Sequence, residues 1–321
     1  MRFRPRDLIL SAVVGVAAAW AVALWFAAEP DVVWRSLAAG LAAFASPLVA
    51  RRIVIGRSLR RSERSELEGE ELTVSILYAV IEDFVPISGK PRRLVKALNR
   101  ALAVITPIVE ARGGFIDKLD GGAIVAVFGA PAADGRHAAD AVTAAMEMCR
   151  QVDQEALLLD DARPLRIRIG VDTGTVLAGA IGSPGRLAYT AIGDVVQQAA
   201  RLASAGKIYG TRILVSEEAA TACAAEILMR EVVTGHVAGR EMPVTLLEPL
   251  ATQEGATVAD REKASDYAAA FYYLRAGRYA EAAAAFAAFA GDPAAAALAQ
   301  QAAALAAAPV EPDDDAEPLE P

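Results

Sequence analysis

The side chains that carry most enzymatic chemistry are scarce in this chain. Its 321 residues include two cysteines, Cys149 and Cys223, and two histidines. The cysteines are far apart and lack CxxC spacing. That excludes a disulfide scaffold and a zinc–cysteine site, and suits a reducing compartment. Two histidines leave almost no room for a His-built metal site. No GxxxxGK run occurs, so a P-loop is excluded. What remains is a set of short polar clusters. Glu82-Asp83 follows an apolar run. Asp117-Lys118 and Asp120 precede Gly121-Gly122. Gln197 and Arg201, four residues apart, share one face of a helix. Taken alone, Lys118 reads as a surface cation paired with Asp117 or Asp120. His137 reads as a cap or surface residue at a helix start, and both cysteines as small core residues. Gly174, Gly179, Gly182 and Gly185 form no nucleotide fingerprint and read as points where strands bend.

The elements that position these clusters follow from periodicity. LTVSILYAV from Leu72 is apolar and β-rich, as a buried strand should be. Pro91–Arg112 is amphipathic and stops at Gly113-Gly114. FIDKL and AIVAVFG flank Asp120-Gly121-Gly122, a hairpin signal. His137–Val152 is helical. LRIRIGVDTG predicts a strand ending at glycine, and TVLAGAIGS another. Asp194–Ala205 is helical, RILVS a strand, Glu217–Ala225 a helix, and EVVTGHVAG and MPVTLLEPL two closing strands. The order strand–helix–strand–strand–helix–strand predicts a ferredoxin-like α/β sandwich with a C-terminal extension.

The ends differ from this body. Mean hydropathy is +0.32, with 55% hydrophobic and 22% charged residues, so part of the chain is expected in membrane and part in water. The first 64 residues carry a net +6 and the remainder −14. An acidic body argues against nucleic-acid binding. Leu8–Ala28 is an uncharged run long enough to span a bilayer, and Leu37–Ala50 is a shorter second run. Residues 1–55 are therefore expected to form a two-helix transmembrane hairpin. The flanking arginines place both termini and the body in the cytoplasm, at the inner membrane. Residues 56–71 read as a juxtamembrane helix whose arginines meet membrane lipid. Residues 259–307 are Ala-rich and helical, and GRYAEAAAAFAAFAGDP resembles one tetratricopeptide-type repeat. A single repeat cannot bury its own face, so it should pack on the body, a dimer mate or a partner. Residues 308–321 are acidic and Pro-rich and are expected to be disordered.

Three segments of the body share wording with one family: SILYAVIEDFVPIS, GGFIDKLDGGAIVAVFGAP and RIGVDTGTVLAGAIGSPGRLAYTAIGDVVQQAARL. Residues 72–250 resemble the catalytic domain of class III adenylate/guanylate cyclases. The third segment is specific, since RIGxxTG, GSxxR and YTxIGDxVxxAARL occur in order. The resemblance implies a class III cyclase-type α/β sandwich. It implies conversion of a nucleoside triphosphate to a cyclic monophosphate and pyrophosphate, with Mg²⁺ or Mn²⁺ held by two aspartates, at a dimer interface.

Matched residue by residue, the metal positions have changed. Val80 and Gly122 stand where the family has its aspartates, and neither offers a side-chain oxygen. Asp83 replaces a glycine beside the phosphates, next to Phe84. Glu82 and Asp120 each lie two residues from a missing ligand; in extended strands they would face the same side as substitutes. The other half of the site is better kept. Lys118 and Thr190 match the adenine-reading pair, Arg201 matches the transition-state arginine, and Gln197 replaces a positioning asparagine. As read, no metal is required.

Three functions follow from this resemblance. One is a membrane-anchored, cyclase-like regulatory or ATP-sensing subunit, working as a homodimer or with an aspartate-bearing partner. Another is an active adenylate cyclase with unorthodox metal ligands, alone or in a heterodimer. The third is a non-catalytic membrane adaptor using the helical tail.

Overall fold

The computed structural model describes residues 69–84, 91–158, 163–183, 186–235 and 244–307. The expected transmembrane hairpin, most of the juxtamembrane helix and the acidic tail lie outside these residues. Among the described residues no helix is long and apolar enough to cross a membrane.

In chain order the elements are β1 (Glu70–Ile81), α1 (Pro91–Ala111), β2 (Phe115–Asp120), β3 (Ala123–Phe128), α2 (His137–Gln154), β4 (Ile167–Ser183) and β5 (Arg186–Ile192). Then come α3 (Asp194–Tyr209), β6 (Ile213–Ser216), α4 (Glu217–Ala222), β7 (Ile227–Gly235) and β8 (Val244–Thr252). The chain closes with α5 (Val258–Arg275), α6 (Tyr279–Ala287) and α7 (Pro293–Ala307). The strands form one sheet in the order β2-β3-β1-β4-β6-β8-β7, with β5 paired to β4 beyond that path. The run β2-β3-β1-β4 has the expected ferredoxin-like order, and β6, β8 and β7 are the extension.

Two expectations need correction. The segment split at Gly174 into two strands is one 17-residue strand, because Gly174 pairs with Val74 inside an unbroken ladder from Glu70↔Ala178 to Ile81↔Ile167. Its last residues, Gly179–Ser183, pair only with β5 as a two-stranded arm; β5 itself was not anticipated. Glu70 and Glu71, assigned to the juxtamembrane helix, already belong to β1, where partners on β4 hold them extended.

Strand alternation divides the sheet into two apolar faces. Leu77, Ala79, Ile81, Ile124, Ala126, Phe128, Ile167 and Ile169 point toward α1 and α2. Val74, Ile76, Val125, Val127, Val176 and Ala178 point the other way, where Val195 and Ala199 of α3 cover part of that face. Gly170 sets how closely α3 can approach. A Cβ there would lie 2.0 Å from the Ala199 carbonyl oxygen and 2.6 Å from the Ala203 amide nitrogen. Both cysteines are buried core residues, as expected, and burial pushes the Cys149 and Cys223 thiols up to about 11 and about 12. His137 is half-buried, and Arg136 rather than His137 stands at the cap position of α2. The His137 Nδ1 lies 2.8 Å from the fully buried Ser75 Oγ, which is also 2.6 Å from Thr173 Oγ1, so the ring ties α2 to β1 and β4.

The C-terminal helices fold against the same body. Tyr267, Phe271 and Phe286 form a small aromatic core, with ring centroids of Phe271 and Phe286 5.1 Å apart. A buried polar cluster fastens it to the sheet. Arg230 on β7, 5% exposed, donates to Glu248 at 2.7 Å and to Asp292, and stacks 4.3 Å over Tyr267. Asp292 also accepts from the amides of Ala294 and Ala295 at 3.1 and 3.2 Å, capping α7. Ala294 then packs with Leu202 of α3, Leu214, Val232 and Leu246. The repeat-like segment therefore buries its face among the three tail helices, and the Arg230–Asp292 pair and Ala294 join them to the sheet.

Candidate functional site

Lys118 on β2 and Thr190 on β5 come from strands distant in sequence, and Asp117, the neighbour of Lys118, reaches the Thr190 hydroxyl. A bulge in β2 between Ile116 and Lys118 isolates Asp117 from the ladder with β3. Its carboxyl turns toward β5. Burial raises the Asp117 pKa, while the Thr190 hydroxyl, Lys118 and the Ala191 amide oppose that rise. Phe115 packs edge-on against Tyr189 at 5.8 Å, fixing β2 beside β5. Lys118 is exposed and Thr190 half-buried. Asp117 was read only as an ion partner for Lys118. Its contact with Thr190 depends on the bulge, which no local pattern announced.

Gln197 and Arg201 lie on α3, which follows β5 after Gly193. Both are exposed. Arg201 has no ion pair among the described residues, so it is available to a ligand or a second chain.

The other half of the expected site lies at the end of β1 and at the turn between β2 and β3. Val80 sits near the end of β1 between Ala123 on β3 and Arg168 on β4. Gly122 follows the hairpin turn, and its carbonyl accepts from the Ile81 amide at 3.0 Å. The Phe84 ring occupies the space that a side chain at Gly122 would need. A Cβ there would lie 2.5 Å from Phe84 Cγ and Cδ1 and 2.9 Å from Phe84 Cβ. Phe84, expected beside nucleotide, packs over the hairpin and the core.

The two substitute ligands are not arranged as strand alternation suggested. β1 ends at Ile81, so Glu82 lies in a turn; its amide donates to the Arg166 carbonyl at 2.9 Å and its carboxylate pairs with Arg168 at 3.5 Å. Asp120 ends β2, and Gly121 with φ of 59° reverses the chain before Gly122. Asp120 stands exposed near Tyr78, whose hydroxyl is shifted up by burial and by that carboxylate. Asp83 adopts φ of 53°, a left-handed conformation natural to glycine and tolerated by aspartate. Among the described residues no cluster of three or more His, Cys, Asp or Glu side chains could hold a metal.

Residues 68–247 match the family described as adenylate and guanylate cyclase catalytic domain. The chain belongs to this cyclase family. Its cyclase domain is similar to adenylate cyclase 1 of Rhizobium meliloti, with 31% identity over 179 residues, 54% of this chain and 27% of that protein. It is similar to a Dictyostelium discoideum adenylate cyclase specific to terminal differentiation, with 32% identity over 55% of this chain and 8% of that protein. The chain thus spans about a third or less of the curated relatives it matches. Among solved structures, the adenylyl cyclase CyaB from P. aeruginosa superposes with a TM-score of 0.52 at 26% identity, over 60% of this chain and 100% of that one. The guanylate cyclase domain of RhGC from Catenaria anguillulae, in complex with GTP, has a TM-score of 0.51 at 22% identity, over 57% of this chain and 100% of that one, and speaks for the fold alone.

Proposed function

We propose that this chain is a membrane-anchored, adenylate-type cyclase subunit that supplies the base-reading half of a nucleotide site and lacks autonomous two-metal catalysis. The observation that carries this reading is the Phe84 ring in the space a carboxylate at position 122 would need. Its counterpart is the kept edge of Lys118 and Thr190 beside an exposed Arg201. An ammonium and a hydroxyl, both close to the Asp117 carboxyl, suit the ring edge of adenine, which offers an acceptor nitrogen next to an amino donor. A partner protomer carrying the two aspartates would complete the site, with ATP bound between the chains.

Association through the β4–β5 arm is part of the proposal. Leu177 and Ile192 face each other across the ladder at 43% and 54% exposure, and Ile181 lies farther along the same face. Residues 1–55 would hold this assembly at the inner face of the cytoplasmic membrane, in contact with lipid. The tail helices pack their apolar residues on one another, which leaves the adaptor reading as the alternative resting on the tail's outer surface.

The test is cyclic AMP production by the purified full chain with Mg²⁺ or Mn²⁺, alone and mixed with an aspartate-bearing cyclase domain whose own Arg201 counterpart has been removed. Turnover only in the mixture supports the proposal. Robust turnover by the chain alone overturns it.

A further inference from the structure

One stretch of the body reverses its charge. The residues after position 64 carry a net −14, yet between Asp83 and Glu110 the sequence holds Lys90, Arg92, Arg93, Lys96 and Arg100 and no acid. All of these except Lys90 belong to α1. The inner side of that helix is apolar: Ala97, Ala101, Ile105 and Val109 are buried in the core shared with α2. Arg92, Lys96 and Arg100 recur every fourth residue, which places them on one face, and all three are exposed.

Nothing on the body neutralises that face. None of the three cations forms an ion pair among the described residues, whereas Arg112, just past the end of α1, pairs with Glu147 at 3.0 Å. The first turn of α1 also has no acid, so its cations stand at the positive end of the helix dipole, where they cost stability. A cost left uncompensated within the chain points to an anion outside it. Val95 stands 54% exposed between Arg92 and Lys96. Exposed Asn99, Ala103 and Pro107 continue the surface without charge. From Arg92 to Arg100 the helix rises about 12 Å, too far for one small anion to bridge and matched to several headgroups in a row. A basic face with an exposed aliphatic group suits a surface that is anionic over a broad area and apolar beneath.

We propose that the outward face of α1 docks on an anionic lipid surface through Arg92, Lys96 and Arg100, with Val95 turned toward the acyl boundary. This goes beyond the anchor proposed for residues 1–55, since the body itself makes the contact. It rests on that anchor only for keeping lipid within reach. A change in the anionic lipid content of the membrane then changes how the body is held.

The test uses the full chain in nanodiscs of phosphatidylcholine alone or of an equal mixture with phosphatidylglycerol. A fluorophore on Ala103→Cys reports contact through quenching by spin-labelled lipid; Cys149 and Cys223 are buried and stay unlabelled. Quenching is expected in the anionic discs and not in the neutral ones, and high salt should remove it. Arg92→Gln/Lys96→Gln/Arg100→Gln should lower the ratio of docked to free body roughly a hundredfold, about fivefold for each cation. The three positions are exposed, so an unchanged melting temperature is expected and verifies folding. Arg92→Lys/Arg100→Lys should keep docking, because a lipid surface reads charge. Loss in that variant would assign the face to a partner read by guanidinium geometry, such as a protein carboxylate, and overturns the proposal. Equal quenching in neutral and anionic discs, or in the native chain and the triple Gln variant, also overturns it. A chain not retained in neutral discs counts against the anchor alone. Retention on anionic discs that depends on the three cations then still supports α1, and its absence overturns the proposal.

Discussion

The two halves of the cyclase site are held in different ways. The base-reading half stands on long regular elements braced on several sides. Lys118 and Thr190 lie on paired strands, and Arg201 lies on α3, which is pressed onto Gly170 and supported at its far end by Ala294 of the tail. The metal-facing half takes Val80 from the end of β1 and Gly122 from the turn between β2 and β3, and the Phe84 ring lies against Gly122. Turns accept substitution because little packs on them, whereas a helix seated on a glycine does not. The difference teaches that the expected base-reading residues stand on elements the fold braces, while Gly122 on the other side stands on a turn covered by one ring.

The largest predicted effect breaks the braced half. Gly170→Val places carbon atoms against the α3 backbone, where a Cβ alone would be 2.0 Å from a carbonyl oxygen. A stability loss at or beyond about 3 kcal/mol is expected, the upper end of overpacking costs. Urea denaturation measures it, and a loss below the cost of an ordinary surface change would remove Gly170 as the seat of α3.

Next comes the brace itself. Asp292→Ala leaves Arg230 buried without one of its two carboxylates, and about 3 kcal/mol should be lost. Burial alone would raise the Asp292 pKa, yet hydrogen bonds and charge from Arg230 and Lys263 bring it down to about 2. Its folded value lies below the unfolded one. Its stabilisation is therefore present above the unfolded value of 3.8 and fades as pH falls toward 2. Melting curves across that window should show a shallower acid limb in the variant than in the native chain.

The third prediction sharpens the contrast by rebuilding the open half. Val80→Asp/Gly122→Asp should bind Mn²⁺ poorly, because Phe84 occupies the second carboxylate's space. Adding Phe84→Ala should tighten binding at least tenfold, about 1.4 kcal/mol. Titration calorimetry of the double and triple variants decides it; equal affinities would show that Phe84 does not obstruct the site.

The smallest effect concerns the turn after β1. Asp83 holds a left-handed φ, so Asp83→Gly relieves strain at the expense of a more flexible unfolded chain. The expected net change is stabilising by no more than about 1 kcal/mol. A destabilisation, read from the same urea curves, would mean the Asp83 carboxylate contributes contacts that outweigh its backbone strain.

Much of this was legible in the residues. The apolar run from Leu72, the Asp120-Gly121-Gly122 turn and the amphipathic segment from Pro91 each carry a local period or a turn signal, and each became the expected element. The missing carboxylates were equally plain, since a valine and a glycine cannot supply oxygen. The continuity of β4 through Gly174 was not legible, because it depends on a partner strand about 100 residues away. Nor was the place of Glu82. Alternation predicts a side only while a strand lasts, and β1 stops one residue earlier.

Sequence alone thus determined which groups are present: an ammonium at 118, a hydroxyl at 190, a guanidinium at 201, and no acid at 80 or 122. It also determined the fold class, because hydrophobic period and turn residues act over a few positions. The tertiary structure decided what those groups meet. It turned Asp117 toward Thr190, set Phe84 over Gly122 and drew Glu82 onto Arg168. Contacts of this kind join residues distant along the chain, and their geometry depends on bulges, turns and helix seats that no single segment encodes.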